Sequence, residues 1–533
     1  MAKVLIIGLD GATWRVLEPW ARAGRLPHLA ALMARGSWGT LRSTVPALTL
    51  PAWSSLMTGR NPGAHGVFAF RRLAPDRYDS PGLASASDLR TSTLWEVAGR
   101  AGQRVGVINV PPSYPIRPVN GFVVSCLLTP PGERFTDPPE LARELDGYRI
   151  DLQPPRGVVL DDPANREPAL AYLDGLRALT RGRAAAVLHL MRTRPTDLLG
   201  VVFYAPDRVQ HCFWTYVEGG AAPDADVAAG VAAVYAALDE AVGELTAAAG
   251  PDATVILVSD HGFGPKPAHA VHVNRWLADA GLLRQRPLWT LRRKMIRKLL
   301  PSSWRGRFDT LDRILVQRPR SRAWADTLEP GTAAVWIHVA DRYPYGCVNP
   351  GAEYDAVRTE IVTGLGALRG PEGEPVFQAV QRREELYHGP YVAEAPDVIA
   401  VCAPRFGVVY HSLRRDLGQR ALFSPFHEEG FSGAHDAMGI YLLAGPQVQA
   451  LGRHREYPIE SIAPTALHLL GVLIPRSMDA PACTSVLDPD FLRRAPVRFT
   501  DEAPDATAPS PGWRSPEDEA VVAARLQALG YLE

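Results

Sequence analysis

Residues 4–11 read Val4-Leu5-Ile6-Ile7-Gly8-Leu9-Asp10-Gly11, a short apolar run closed by an acidic residue and a glycine. An uninterrupted apolar run of this length is typical of a strand that is buried on both faces of a sheet. Similar runs recur along the chain and alternate with longer segments of helical spacing. The alternation predicts an α/β fold, in which helices cover both faces of a central, mostly parallel sheet.

The other regular elements are predicted from the same kinds of pattern. Strands are predicted at 4–8, 105–110, 198–204, 254–259, 397–401 and 439–443. Helices are predicted at about 28–35, 92–101, 168–192, 225–248, 354–368 and 459–470. A Pro-, Ala- and Asp-rich stretch at 486–515 is typical of a linker, and a short helix at about 516–529 follows it.

The charge of the chain is balanced in total but not in distribution. Lys plus Arg and Asp plus Glu both number 57, yet residues 284–322 hold thirteen basic side chains and two acidic ones, interspersed with Trp and Leu. Two interpretations stay open for this basic segment: a solvated surface insertion, or an amphipathic element that contacts anionic lipid. Binding to nucleic acid is not expected, because the rest of the chain is net acidic.

The cysteines and the hydropathy indicate a reducing compartment. Five cysteines are scattered without Cys-x-x-Cys spacing, which argues against a disulfide framework and against a thiolate metal cluster. The first apolar run follows Met1-Ala2-Lys3 too closely for a secretion signal. No apolar run approaches the roughly 20 residues that span a bilayer. We therefore expect a cytoplasmic protein.

Acidic and histidine side chains stand where predicted strands end. Asp10 closes the first run, and Ser259-Asp260-His261-Gly262 closes the run at 254–259. The run at 198–204 leads into Asp207 and His211, which are four residues apart and would share one face of a helix. His435 stands just before the strand at 439–443. Ligands bind at the carboxyl ends of strands in open α/β sheets, so these side chains together indicate a metal site.

Thr49 is the candidate nucleophile. It precedes Pro51 and a predicted helix that ends near Gly59. An ordinary helix N-cap is one interpretation of this threonine. The other places its hydroxyl at the positive end of a helix dipole, where an anion would bind.

These motifs resemble the type I phosphodiesterase/nucleotide pyrophosphatase family of the alkaline phosphatase superfamily. The signature is Thr49-x-Pro51, then Thr58-Gly59-x-x-Pro62-x-x-His65-Gly66, with Ser259-Asp260-His261-Gly262 downstream. The chain is more similar still to a group of prokaryotic phosphohydrolases with Ile108-Asn109-Val110-Pro111 and a closing Leu529-Gly530-Tyr531-Leu532. The resemblance implies an alkaline-phosphatase-like catalytic core at 1–285 and 330–485. It leaves a basic amphipathic insertion at 286–329 and a Pro-rich linker with a C-terminal helix at 486–533.

The resemblance also implies a metal-ligand set. One divalent cation, Zn²⁺ or Mn²⁺, would be held by Asp10, Asp260 and His261 and would also bind the Thr49 oxygen. The other would be held by Asp207, His211 and His435. His65 belongs to the signature without being a ligand, and no functional role is favoured for His269 or His272.

One position departs from the family. Nucleotide pyrophosphatases carry a phosphate-binding Asn after the His-Gly pair, and the matching residue here is Phe70. The departure puts a nucleotide diester in doubt as the substrate. Our hypothesis is that Arg71 or Arg72 compensates for the missing amide.

The predicted activity is hydrolysis of a small phosphorylated substrate through a phosphothreonine intermediate on Thr49. Phosphomonoesters, phosphodiesters and pyrophosphates all stay open as substrates. Two alternatives remain: a cofactor-independent phosphomutase on the same metal site, and a metal-stabilised binding protein without activity. A sulfatase is disfavoured, because that chemistry needs Cys or Ser where Thr49 stands.

Overall fold

A computed structural model describes residues 2–73, 82–218, 223–285, 316–409, 416–417, 419, 421–426, 430–501 and 515–532. The chain divides into two compact units. The first unit consists of residues 1–72, 82–265 and 429–532. The second unit is built mainly from residues 266–428.

The described residues form strands that we number in chain order. They are β1 (Val4–Leu9), β2 (Ser37–Arg42), β3 (Val105–Ile108), β4 (Gly121–Val124), β5 (Thr136–Asp137), β6 (Leu198–Phe203), β7 (Thr254–Val258), β8 (Gly262–Pro265), β9 (His269–Val271), β10 (Ala323–Glu329), β11 (Thr332–Ile337), β12 (Phe377–Arg382), β13 (Val398–Cys402), β14 (Phe406–Gly407), β15 (Phe423–Pro425), β16 (Gly433–Asp436), β17 (Met438–Ala444), β18 (Gly452–Arg453), β19 (Tyr457–Pro458), β20 (Ile474–Pro475) and β21 (Phe499–Thr500).

The α-helices of the described residues are numbered in the same way. They are α1 (Trp14–Arg22), α2 (Pro27–Ala34), α3 (Thr49–Thr58), α4 (Pro62–His65), α5 (Leu94–Arg100), α6 (Leu141–Glu144), α7 (Arg166–Thr193), α8 (Ala205–Val217), α9 (Ala225–Ala249), α10 (Val273–Asp279), α11 (Ala352–Gly366), α12 (Arg383–Leu386), α13 (Ile462–Leu469), α14 (Pro489–Arg494) and α15 (Pro516–Ala528). None of these helices is long and apolar enough to cross a membrane.

The first unit is built around one large sheet with the strand order β18-β2-β17-β7-β1-β6-β3-β4-β5, and β19 also pairs with β2. The five strands from β7 to β4 are parallel, whereas β17 runs antiparallel to both of its neighbours. Strands β1, β6 and β7 are buried along their whole length, as expected for a parallel sheet covered by helices on both faces. The predicted mostly parallel α/β fold is confirmed.

The second unit has a separate apolar core. Its main sheet is antiparallel, in the order β10-β11-β13-β12, and helix α11 packs against three of these strands. Val335, Ile337, Ile361 and Val398 are among the fully buried side chains of this core. A smaller sheet, β14-β9-β15, belongs to the same unit.

The division into units differs from the predicted domains. The predicted core included 266–285 and 330–428, which lie in the compact second unit. Helix α14 and strand β21 lie within the predicted linker at 486–515, and β21 pairs with β20. Most of the basic segment, residues 286–315, lies outside the described residues.

Candidate active site

Three neighbouring strands of the large sheet carry the predicted ligands at their carboxyl ends. The order β7-β1-β6 places Asp260, Asp10 and the start of helix α8 side by side. Asp207 and His211 lie one turn apart on α8, and both are buried. His435 arrives from strand β16, which pairs with β8 directly after His261. The topology therefore brings residues from four separate parts of the sequence to one edge of the sheet.

Asp10, Asp260 and His261 form the first group. One potential ligand atom from each lies within 4.8 Å of the others. His261 Nε2 lies 3.3 Å from Asp260 Oδ2 and 3.9 Å from Asp10 Oδ1. The backbone N–H of Gly11 donates to Asp260 Oδ1 at 3.1 Å, and the Trp53 indole donates to Asp10 Oδ2 at 3.1 Å. Each carboxylate is thus held by one of its two oxygens.

Asp207, His211 and His435 form the second group. The two Nε2 atoms lie 3.0 Å apart, and they lie 3.5 and 3.4 Å from Asp207 Oδ1. The other carboxylate oxygen, Asp207 Oδ2, accepts hydrogen bonds from Arg208 Nη1 at 2.5 Å and from the Tyr531 hydroxyl at 2.9 Å. The rings of His261 and His435 stack with centroids 3.8 Å apart, so the two groups are in contact.

Each of the three carboxylates leaves one oxygen without a hydrogen bond. Asp10 Oδ1, Asp260 Oδ2 and Asp207 Oδ1 are buried and accept no hydrogen bond from any described residue. Buried polar atoms are nearly always satisfied, so three such oxygens in one cluster need another partner. All three are the atoms that face the neighbouring imidazoles, and a cation between them would satisfy the set.

The imidazoles are oriented to offer lone pairs. His261 Nδ1 contacts the Gly262 carbonyl oxygen at 3.1 Å, and His435 Nδ1 contacts that of Ala47 at 3.0 Å. A carbonyl can only accept, so both Nδ1 atoms carry hydrogen, and the Nε2 of a neutral ring then presents a lone pair to the cluster. Burial lowers the pKa of His211 to about 3 and that of His261 well below 6.5, which keeps both rings neutral.

The acids differ in protonation. Burial raises the pKa of Asp10 well above 3.8, and the Asp260 and Asp207 carboxylates raise it further. Burial likewise raises the pKa of Asp260 to about 8. Burial also acts to raise the pKa of Asp207, but His211, His435 and Arg208 outweigh it and hold this pKa below its ordinary value. A positive charge brought to the first group would therefore displace carboxyl protons.

The donor set fits zinc-like ions. Tetrahedral zinc with ligand bonds of about 2.0–2.1 Å requires neighbouring ligand atoms roughly 3.3 Å apart. Of the five ligand-atom distances given above, four fall between 3.0 and 3.5 Å and one is 3.9 Å. Neutral imidazole and carboxylate ligands suit Zn²⁺ and are compatible with Mn²⁺.

Thr49 lies beside the first group. It is the first residue of α3, after Leu48 in the N-cap position, and its side chain does not cap the helix. The ordinary N-cap interpretation of this threonine is therefore wrong. Its Oγ1 lies 3.4 Å from His261 Nε2, and the residue is completely buried. The hydroxyl is thus placed next to the first group and at the positive end of the α3 dipole.

Two side chains at the cluster were not predicted from the sequence. The buried guanidinium of Arg208 links Asp207 to Asp151, whose Oδ2 lies 2.8 Å from Nη2. Tyr531 comes from the segment after α15, and its hydroxyl accepts from Arg208 at 2.8 Å. Arg208 directly follows the predicted ligand Asp207, and this position could have indicated that it lies near the site. Tyr531 is hundreds of residues away, and no spacing rule connects it to the site.

Phe70 contacts the cluster through an aromatic neighbour. Its ring stacks on that of Tyr531, with centroids 4.6 Å apart and planes at 23°. The arginines beside it are engaged elsewhere or exposed: Arg72 donates to the Leu83 carbonyl oxygen at 3.1 Å, and Arg71 is exposed. These contacts do not support compensation of the missing amide by either arginine.

The other histidines of the sequence motifs make structural contacts. His65 Nε2 lies 2.9 Å from Ser55 Oγ, and its Nδ1 accepts from the Val67 backbone N–H at 3.1 Å. In the second unit, His272 lies between Asp416 and Ser424, at 2.8 and 3.0 Å. The two rings tie neighbouring segments together.

Comparisons with known proteins identify a family and similar folds. The sequence model of the type I phosphodiesterase/nucleotide pyrophosphatase family matches residues 4–436. The structure is similar to phosphonoacetate hydrolase from Sinorhizobium meliloti 1021 in complex with phosphonoacetate, with a TM-score of 0.51 and 16% identity over 88% of this chain and 95% of that one. It is also similar to an inactive threonine-to-alanine variant of murine ectonucleotide pyrophosphatase/phosphodiesterase 5 in complex with AMP. There the TM-score is 0.50, with 14% identity over 92% of this chain and all of that one. No curated protein matches the chain in sequence.

Proposed function

We propose that this chain, which belongs to the type I phosphodiesterase/nucleotide pyrophosphatase family, uses Thr49 as the nucleophile of a two-metal phosphoryl-transfer site. Family membership makes the chain a hydrolase of phosphoester or pyrophosphate bonds. The proposal adds the residues that carry out the reaction, the zinc-like ions and a small phosphorylated substrate.

One observation carries the proposal. Two groups of three Asp and His side chains meet beside a buried threonine hydroxyl, and every carboxylate in them keeps one oxygen without a hydrogen bond from the described residues. Asp10, Asp260 and His261 would hold one cation, and Asp207, His211 and His435 would hold the other. When bound, such ions polarise a phosphoryl oxygen and lower the pKa of a coordinated hydroxyl or water.

In this proposal the reaction at Thr49 has two steps. Thr49 Oγ1 gives up its proton and forms a bond to phosphorus while the bond to the leaving oxygen breaks in line. The departing oxygen takes up a proton, and a phosphothreonine remains on the enzyme. Water then displaces Thr49 from phosphorus, and the Thr49 oxygen takes up a proton. The product is phosphate from a monoester and a phosphomonoester from a diester. Two inversions give net retention of configuration at phosphorus.

The ligands of similar proteins support a small phosphorylated substrate. The murine structure is described as an inactive threonine-to-alanine variant with AMP bound, and the Sinorhizobium enzyme binds phosphonoacetate. Both ligands are small anions with a phosphoryl or phosphonyl group. A small substrate of this class is therefore the natural choice for the first assays.

The test is a panel assay combined with a matched pair of variants. The zinc- and manganese-loaded protein is assayed with p-nitrophenyl phosphate, its bis ester and nucleoside triphosphates. Thr49→Ala should lower kcat by roughly a thousandfold or more on every accepted substrate. Acid quenching of the wild type should trap phosphate on the peptide that contains Thr49. Thr58→Ala is the control, because Thr58 lies on the same helix and its Oγ1 donates to the Ser54 carbonyl oxygen at 2.7 Å.

The rival functions give different results. Phosphate moved between two positions of one substrate without release would identify a phosphomutase. Stoichiometric metal binding without hydrolysis of any ester would identify a binding protein. A Thr49→Ala protein that retains metal and full activity would refute the assignment of the nucleophile.

A further inference from the structure

Tyr531 contacts the cluster although it is far from it in the sequence. The residue lies in the segment Leu529–Leu532, which follows helix α15. Its hydroxyl donates to Asp207 Oδ2 at 2.9 Å and accepts from Arg208 Nη1 at 2.8 Å, and its ring lies 5.2 Å from the Arg208 guanidinium carbon. The side chain is buried, so these contacts are shielded from water.

The segment is built to hold this tyrosine in place. The Tyr531 ring stacks on Phe70 at 4.6 Å. Gly530 adopts a φ of 81°, which favours glycine, and a Cβ there would lie 2.8 Å from the Phe431 ring. Helix α15 is anchored in turn, because Arg525 Nη1 donates to the Leu127 and Thr129 carbonyl oxygens, the latter at 2.8 Å.

The contacts of Asp207 are divided between its two oxygens. Oδ2 accepts from Arg208 and Tyr531, whereas Oδ1 points toward His211 Nε2 and His435 Nε2 and has no hydrogen bond from the described residues. Two donors on Oδ2 fix the rotation of the carboxyl group. Fixing it turns Oδ1 toward the position between the two imidazoles. Residues that orient a ligand in this way typically change metal affinity about 10- to 100-fold when removed.

We propose that Tyr531 is a positioning residue for Asp207, and that the segment Leu529–Leu532 is thereby part of the metal centre. The inference rests on the second metal site of the proposed function. This role of Tyr531 gives a reason for the phenylalanine at position 70, because the Tyr531 ring stacks on the Phe70 ring. Where nucleotide pyrophosphatases have an Asn that contacts phosphate, Phe70 would instead support Tyr531, and Tyr531 would orient the metal ligand Asp207.

The test compares two buried tyrosines. Tyr531→Phe removes one hydroxyl and keeps the ring on Phe70. Tyr441→Phe is the matched control, because the Tyr441 hydroxyl donates to the Arg455 carbonyl oxygen at 2.7 Å and does not contact Asp207. Zinc affinity of each site is measured by chelator competition, and the visible spectrum of the cobalt-substituted protein reports ligand geometry.

Tyr531→Phe should weaken one of the two zinc sites about 10- to 100-fold and leave the other unchanged. Its cobalt spectrum at low loading should match that of His211→Ala, which lacks a ligand of the same site. Phe70→Leu keeps the hydroxyl but removes the stacked surface, and it should weaken the same site to a smaller extent. Tyr441→Phe should keep both affinities.

The outcomes separate the two proposals. If the wild type binds fewer than two cations, the proposed function fails. If it binds two and Tyr531→Phe also binds both with wild-type affinity and spectrum, the role of Tyr531 is refuted while the proposed function stands. An equal loss at both sites, with a lower melting temperature, would show that Tyr531 acts only on general stability.

Discussion

Each carboxylate at the cluster has one oxygen that accepts a hydrogen bond and one oxygen that accepts none from the described residues. Asp10 illustrates this, because Oδ2 accepts from the Trp53 indole at 3.1 Å while Oδ1 has no hydrogen bond from the described residues. Without the indole N–H, the carboxyl group could rotate about its own axis. The freedom lost on binding a cation would then be larger, and the affinity would fall.

Trp53→Phe tests this idea. The substitution removes the N–H and keeps most of the aromatic volume, so we expect zinc affinity at the Asp10 group to fall about 10- to 100-fold. The measurement is chelator competition on the folded protein. Trp14→Phe is the control: Trp14 is also buried and donates to the Gly39 carbonyl oxygen at 2.6 Å, so it should lose some stability but no metal affinity. Equal affinities in both variants would contradict the prediction.

The residues that the sequence could identify are those with a local signal. Asp10 and Asp260 end apolar runs, and His211 follows Asp207 at helical spacing, so their clustering was predictable from strand ends alone. Tyr531 has no such signal, because it reaches Asp207 only through the path of the folded chain. The contact of Tyr531 with Asp207 was not predicted because the two residues are far apart in the sequence.

The elements themselves were predicted well where burial is complete. Strands β1, β6 and β7 are buried on both faces, and short apolar runs between helical segments are typical of such parallel strands. The antiparallel second unit was not predicted, since only β13 and α11 had clear patterns. Strand β12, for example, has one buried residue among its six, and alternating or partly exposed strands give weaker signals.

Packing between elements positions the site, and Gly8→Ala probes it. Gly8 lies on β1 under helix α3, and a Cβ there would lie 2.3 Å from Trp53 Cη2 and 2.9 Å from Val202 Cγ2. The ring must move, which should cost about 1–3 kcal/mol of unfolding free energy and weaken its hydrogen bond to Asp10. We expect a lower denaturation midpoint together with reduced zinc affinity.

Gly200→Ala is the matched control for this prediction. Gly200 lies on the parallel strand β6, and its added Cβ would lie 2.5 Å from Trp95 Cη2, on helix α5. The loss of stability should be similar, because the same kind of contact is disturbed. Zinc affinity should not change, since Trp95 is not bonded to a carboxylate of the cluster. Loss of affinity in both variants would mean that overall stability, rather than the indole, controls metal binding.

The fold buries several carboxyl groups close together in the cluster, which is unfavourable when they are charged. The free energy of unfolding should therefore depend on both pH and bound metal. In the metal-free protein, burial raises the pKa of Asp10 well above 3.8 and that of Asp260 to about 8. The unfolded chain loses these protons near pH 3.8, so between that pH and about 8 the folded state holds more protons. Stability from these two acids is therefore lost as pH rises toward 8.

A bound cation should offset this decrease in the free energy of unfolding. It displaces the protons from Asp10 and Asp260, so the stabilisation by zinc should grow with pH between 6.5 and 8. The growth should be on the order of 1.4 kcal/mol per pH unit for each proton displaced. The measurement is chemical denaturation of chelator-treated and zinc-loaded protein at both pH values. Groups outside the cluster cancel in the difference, because they titrate alike with and without metal.

The Asp260→Asn variant separates the two acids in the same experiment. Asparagine has no proton to release, so one of the two contributions disappears and the pH dependence of the zinc effect should fall by about half. Asp207 and His211 should contribute little in this range, because the pKa of Asp207 lies below its ordinary value and burial lowers that of His211 to about 3. Equal stabilisation by zinc at pH 6.5 and 8 in the wild type would show that cation binding displaces no carboxyl protons. In that case, burial by the fold would not keep Asp10 and Asp260 protonated until a cation binds.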